Sequence, residues 1–291
     1  MHDSPSARER QLARELRDLR VDAQLQGKEV ARLLGWSASK VSRIETGAIG
    51  IRPEDLELLL DVYAVPAPRA ERLRLLAPNA RPKGWWDAYA DRTSAGYANL
   101  IRLEASSRAV QCYSAVIPHP LLQTEAWTRR VILATALDPS PAEVDLRMAI
   151  CRRRQQLLQP APDREPLRLA AVVDQAVLHR SVDPDPEVDR ALRLELLRHL
   201  LRLGRRPNIT VQVLPFSAGI PPVTAGSFSL LEPRGLDAPD VVYMDNKTRI
   251  FFLDSPTEVH AYDREMALLR TMALTPARSA TWLRDAVRST A

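Results

Sequence analysis

Glycines at 27, 35 and 47 divide one short stretch, "GKEVARLLGWSASKVSRIETG" (27–47), into two amphipathic runs, and this division constrains the fold more than any other feature of the chain. The first run, 27–34, reads as a helix with Val30, Ala31, Leu33 and Leu34 inward. Gly35 ends it, as glycine just past a helix often does. Ser37 stands at the N-cap of the next helix, and Gly47 stops that one. Val41 and Ile44 form its apolar stripe. With Val41 as zero and about 100° per residue, Ser39 falls near ~160°, Ser42 near ~100°, Arg43 near ~200° and Thr46 near ~140°. All four face away from the stripe. A very small helix therefore buries one side and presents short hydroxyls and a long cation on the other.

Two short helices joined by a tight turn containing glycine make a helix-turn-helix. The flanks supply a core for it. Leu12, Leu16 and Leu19 mark a first helix; Pro53 opens a fourth that buries Leu56, Leu59, Leu60 and Tyr63; "VPAPRAERLRLLAP" (65–78) gives a short fifth. The B-DNA major groove admits one α-helix and offers donors and acceptors on its base edges. A helix that reads it needs a buried stripe and a polar face with a long cation. Charge agrees: residues 27–52 carry five basic and two acidic side chains, whereas residues 1–80 carry 13 basic and 12 acidic ones. The bland reading of the same pattern is a helical bundle with a solvated polar face.

Residues 12–65 resemble the Cro/repressor type of helix-turn-helix, the XRE family, through "LARELRDLR", "EVARLLGWSASKVSRIETG" and "RPEDLELLLDVYAV". The resemblance implies that Ser37, Ala38, Ser39, Ser42 and Arg43 face base edges. Arg43 is the candidate for a bidentate guanine contact, with a phosphate contact as its alternative. Lys28 and Lys40 flank the face and, with Thr46, are read as phosphate contacts, which position a protein without reading sequence. Glu45 and Arg20 match a structural pair of the family. Gly27 departs from the pattern where many members have a phosphate-holding Gln; Gln26, one residue away, is the candidate substitute.

After residue 78 the composition changes. "NARPKGWWDAYADRTSAGYANL" (79–100) reads as a connector, with Trp85 and Trp86 packing it on a domain or walling a ligand. Residues 101–160 read as helix, clearest over 141–159. A buried strand begins the run 166–180, an amphipathic helix over 185–204 ends at Gly204, and β-like runs follow at 209–216, 226–232, 240–245 and 249–254. The tail, 256–289, is helical and divided by Pro276. Strands and helices look segregated, which predicts α+β overall. The expected organisation is an all-α helix-turn-helix domain of five short helices (1–78), a connector (79–100) and a larger α+β domain (101–291).

The larger part resembles the domain of unknown function fused to such units in actinobacterial, antitoxin-like regulators, through "GWWDAY" (84–89), "RLEASSRAVQCYSAVIPHPLLQTEAW" (102–127), "NITVQVLPFSAG" (208–219), "DVVYMD" (240–245) and the segment 251–279. The resemblance implies a small protein partner; the length of the region, far more than a repressor needs to dimerise, adds dimerisation and the binding of a small-molecule effector to the expectation.

Catalytic signatures are missing. "FSAG" (216–219) is not a GxSxG elbow, and no GxxxxGK[ST] or GxGxxG occurs. The histidines (2, 119, 179, 199, 260) are scattered, and His199 lies in an amphipathic helix. Glu104, Arg147 and Asp174 line a polar pocket or, more simply, make ordinary salt bridges. The segment 215–226, rich in Pro and Gly, is a candidate lid. Two cysteines, Cys112 and Cys151, without CxxC or zinc spacing, read as reduced thiols. The charged N-terminus is no signal peptide, and no run spans a bilayer. The expectation is a cytoplasmic transcriptional regulator, not an enzyme, without cofactor or metal, that binds double-stranded operator DNA as a homodimer. The alternative is an antitoxin-like protein whose C-terminal domain mainly binds a small partner protein, with DNA binding for autoregulation.

Overall fold

A computed structural model of the 291-residue chain describes residues 7–46, 49, 51–76, 84–162, 164–224, 226–234 and 239–290. It divides into two compact units, Met1–Gly84 and Trp85–Ala291.

The first unit is built from α1 (Ala7–Asp22), α2 (Gly27–Leu34), α3 (Ala38–Glu45), α4 (Pro53–Val62) and α5 (Ala67–Leu76). Its core gathers Leu12, Leu16 and Leu19 of α1, Val30 and Ala31 of α2, Val41 and Ile44 of α3, and Leu56, Leu59 and Leu60 of α4, closed by Tyr63 and Leu73. Gly35 adopts φ 66°, the left-handed conformation that ends α2 and lets α3 start three residues later. Leu33, expected inward, is 60% exposed. An eight-residue helix has room for only part of an apolar run on its inner stripe, and Val30 and Ala31 occupy it. Gly47, the expected stop of α3, lies outside the described residues, as do His2 and residues 77–83; Thr46 is the C-cap.

In the second unit the stretch expected as a connector is integrated. Trp85–Arg92 forms a 3₁₀ helix and Ala95–Ala105 forms α6, with Trp85, Trp86 and Tyr97 packed against the main core. The expectation of continuous helix over 101–160 is corrected by β1 (Ser107–Ser114), which is followed by α7 (Glu125–Thr135) and α8 (Pro141–Gln155). Then come β2 (Arg168–Asp174), α9 (Gln175–His179), α10 (Pro186–Leu203), β3 (Ile209–Leu214), β4 (Phe228–Pro233), β5 (Val241–Asn246), β6 (Arg249–Leu253), α11 (Pro256–Met272) and α12 (Pro276–Thr290).

The six strands make one sheet in the order β3-β2-β1-β4-β5-β6. β1, β2 and β3 run parallel, joined by helical crossovers; β4, β5 and β6 continue antiparallel from β1. The architecture is α+β, with one alternating half. The sheet is covered on both faces. Val110, Cys112, Leu169, Ala171, Val173, Val211 and Val213 face one core with α6, α10 and α12. The alternate residues Tyr113, Val172, Leu214, Leu230 and Val242 face a second with Met266 and Leu269 of α11. Among the described residues no helix is long and apolar enough to cross a membrane.

Candidate nucleic-acid interface

The short α3 helix is held by its ends and its inner face. The Ser37 hydroxyl accepts a hydrogen bond from the Lys40 N–H (3.1 Å) and caps the N-terminus; the Thr46 hydroxyl donates to the Ser42 carbonyl (2.8 Å) at the other end. Beneath, the Arg20 guanidinium binds the Glu45 carboxylate through Nε (2.8 and 3.1 Å) and Nη2 (3.0 Å). Arg20 Nη1 also donates to the Leu25 carbonyl (2.8 Å), and the Tyr63 hydroxyl donates to Glu45 (3.3 Å). Hydrogen bonding to Glu45 raises the Arg20 pKa, and burial together with the Glu45 charge pushes the Tyr63 hydroxyl up. One buried ion pair thus ties α1 and the end of α4 to α3, the structural role expected of Arg20 and Glu45.

The outer face is open. Ser37, Ala38, Ser39, Ser42, Arg43 and Thr46 are all exposed, and so are Gln26 and Lys28 at the start of α2. Gln26 is the N-cap of α2, where its N–H donates to Glu29 (2.7 Å). Lys28, Arg32, Arg43 and Arg52 carry no ion pair among the described residues. Lys40 differs. Its Nζ lies 2.8 Å from Asp55 Oδ1 and 3.7 Å from the centroid of the Trp36 ring. The surface combines exposed hydroxyls, an unpaired guanidinium and flanking cations on a rigidly backed helix, which suits a polyanion with donor and acceptor edges.

The sequence comparisons fit this geometry. A helix-turn-helix domain family matches residues 11–75, which span α2, the Gly35 turn and α3. A family described as a domain of unknown function (DUF5753) matches residues 97–285, the larger part of the chain. The chain belongs to the DUF5753 family. No curated protein and no solved structure matches it.

The DUF5753 region does not gather Glu104, Arg147 and Asp174 into one pocket. Glu104 pairs with Arg154 (2.8 Å for each of two bonds), both fully buried; burial alone would raise the Glu104 carboxyl, and the guanidinium overrides it and holds it below the ordinary range. Arg147 pairs with Glu143 one turn away on α8 (2.5 Å), and Asp174 accepts from the Tyr113 hydroxyl (3.1 Å) and caps α9. His119 is buried beside the Glu104 pair, with Nε2 2.7 Å from the Tyr243 hydroxyl and Nδ1 accepting from the Leu121 N–H (3.3 Å). Burial pushes its pKa down to about 4. His199 is half-buried, and burial with Arg202 and Arg206 lowers it to about 4 as well.

Two surface clefts of the DUF5753 region, of about 420 Å³ around Asp183, Asp189 and Arg193 and about 240 Å³ around Leu201, Val211 and Leu283, contain none of the residues expected in a pocket. Segment 215–224 holds a 3₁₀ turn, Phe216–Ala218, anchored by the Phe216 N–H on Gln175 (2.9 Å). Cys112 and Cys151 are free and buried, and no group of three His, Cys, Asp or Glu among the described residues is arranged for a metal. Sequence reasoning missed Arg154, His119, Tyr243 and the Lys40–Asp55 pair; their partners are distant in the chain, and no local pattern marks them.

Proposed function

We propose that this protein is a sequence-specific, double-stranded DNA-binding transcriptional regulator of the Cro/repressor type. The observation that carries the reading is α3 itself. Its buried face and both ends are fixed by Val41, Ile44, Glu45, Ser37 and Thr46, while Ser39, Ser42 and Arg43 are exposed and make no ion pair among the described residues. In this reading Arg43 pairs with guanine, Ser37, Ala38, Ser39 and Ser42 contact other base edges, and Gln26, Lys28 and Thr46 touch phosphates. The protein acts as a homodimer in the cytoplasm, because one such helix reads too few base pairs for genomic specificity. The DUF5753 region senses a small molecule or a small protein partner and does not catalyse a reaction.

Selection from a random pool of duplex DNA tests this. The wild-type protein is expected to enrich a short motif containing an invariant guanine. Arg43→Ala is expected to lose roughly 5- to 150-fold in affinity for that motif, the equivalent of about 1–3 kcal/mol, and to relax the preference at one position. Equal enrichment by both proteins would remove α3 from the recognition role.

A further inference from the structure

Among the described residues, Lys40 is the cation of the α3 face that the fold already uses. Its ammonium sits over the Trp36 ring (3.7 Å to the centroid) and against the Asp55 carboxylate (2.8 Å), with the lysine side chain 33% and the aspartate 18% exposed. Trp36 comes from the turn before α3, and Asp55 from the first turn of α4. The ammonium is thus held from two sides by groups that lie outside its own helix. A DNA phosphate would have to displace the carboxylate and draw the cation off the ring to use it.

We propose that Asp55 is a positioning residue that keeps Lys40 off the DNA backbone and so lowers the sequence-independent, salt-sensitive part of DNA binding. Lys40 is then a strut between α3 and α4, not a phosphate contact. The inference rests on the DNA-binding reading above and adds to it. Phosphate contacts contribute to every sequence alike, whereas base contacts discriminate. Withholding one cation costs specific and non-specific complexes the same contact, so it weakens binding to every sequence by the same factor and leaves their ratio unchanged. Glu54, the neighbouring acid in the same turn, is exposed and makes no ion pair among the described residues, so it carries the same charge without the same partner.

The test compares the full-length wild type, Asp55→Asn, Glu54→Gln and Asp55→Asn/Lys40→Met on a selected duplex and a scrambled one across a salt series. Freed Lys40 should steepen the salt dependence of Asp55→Asn by about 0.9 in log–log slope, so affinity falls about 3.5-fold further between about 50 and 200 mM salt. Both duplexes should gain affinity at low salt by a similar factor, so the ratio of specific to non-specific affinity should stay at the wild-type value. The double variant should return to the wild-type slope, and Glu54→Gln should keep it. A wild-type slope in Asp55→Asn, or equal steepening by Glu54→Gln, would overturn the proposal while leaving the α3 reading intact. Arg43→Ala, run in parallel, isolates the other failure: if it and the wild type bind both duplexes alike, the reading falls and the Asp55 proposal falls with it.

Discussion

At the residue scale, two buried ion pairs do different work. Arg20–Glu45 spans 25 residues and fixes the inner side of the α3 helix, and its members are 17% and 6% exposed. Arg154–Glu104 spans 50 residues and is sealed in the second unit. Breaking the fully buried Arg154–Glu104 pair costs about 3–5 kcal/mol because the remaining charge is stranded, and breaking the part-buried Arg20–Glu45 pair costs less. His119, beside the second pair, gives that unit a pH dependence. Its folded pKa of about 4 lies below the ordinary value near 6.5, so the unfolded chain binds the proton more readily between those values. Acidification from about pH 6.5 to 4 therefore favours unfolding by up to roughly 3 kcal/mol from this group. His199 adds in the same window, and Glu104, held low, contributes its loss only below the ordinary carboxylate range. Chemical denaturation of His119→Gln across this range should show a shallower loss of stability than wild type; an identical slope would mean that His119 is not the group responsible.

At the element scale, local signals were legible and long-range ones were not. The bounds of α2, the cap at Ser37, the Pro53 start and the break at Pro276 all follow from caps and breakers that act within one turn. β2 to β6 were legible as apolar runs. β1 was not, because "SRAVQCYS" has one β-branched residue and lies against helix-like sequence on its N-terminal side. Its strand state comes from pairing with β2 on one side and β4 on the other. Missing β1 also hid the β-α-β alternation and made the second unit look fully segregated. The exposed face of α3 was readable from periodicity alone, but Lys40 was not, since its partners sit on a turn and on another helix. The turn itself is testable. Gly35 has φ 66° and open space where a Cβ would stand, so Gly35→Ala carries only the backbone strain. It should cost the first unit about 1 kcal/mol in denaturant unfolding; no loss would mean that the turn relaxes without the left-handed residue.

At the scale of the whole molecule, each unit has its own core, and chemistry and size are divided between them. The smaller unit presents an open polar helix beside cations that make no ion pair among the described residues; the larger DUF5753 unit spends its conspicuous polar residues on internal pairs. The proposed homodimer, with one α3 per protomer, would require two half-sites about one helical turn apart, near ~34 Å, arranged as a palindrome or pseudo-palindrome. The most direct test is recovery of genomic DNA by the purified full-length protein at two salt concentrations, followed by sequencing. A palindromic motif that persists at the higher salt, with half-sites about 10 base pairs apart, is the predicted result. Diffuse recovery that disappears at the higher salt and yields no motif would contradict sequence-specific recognition by α3.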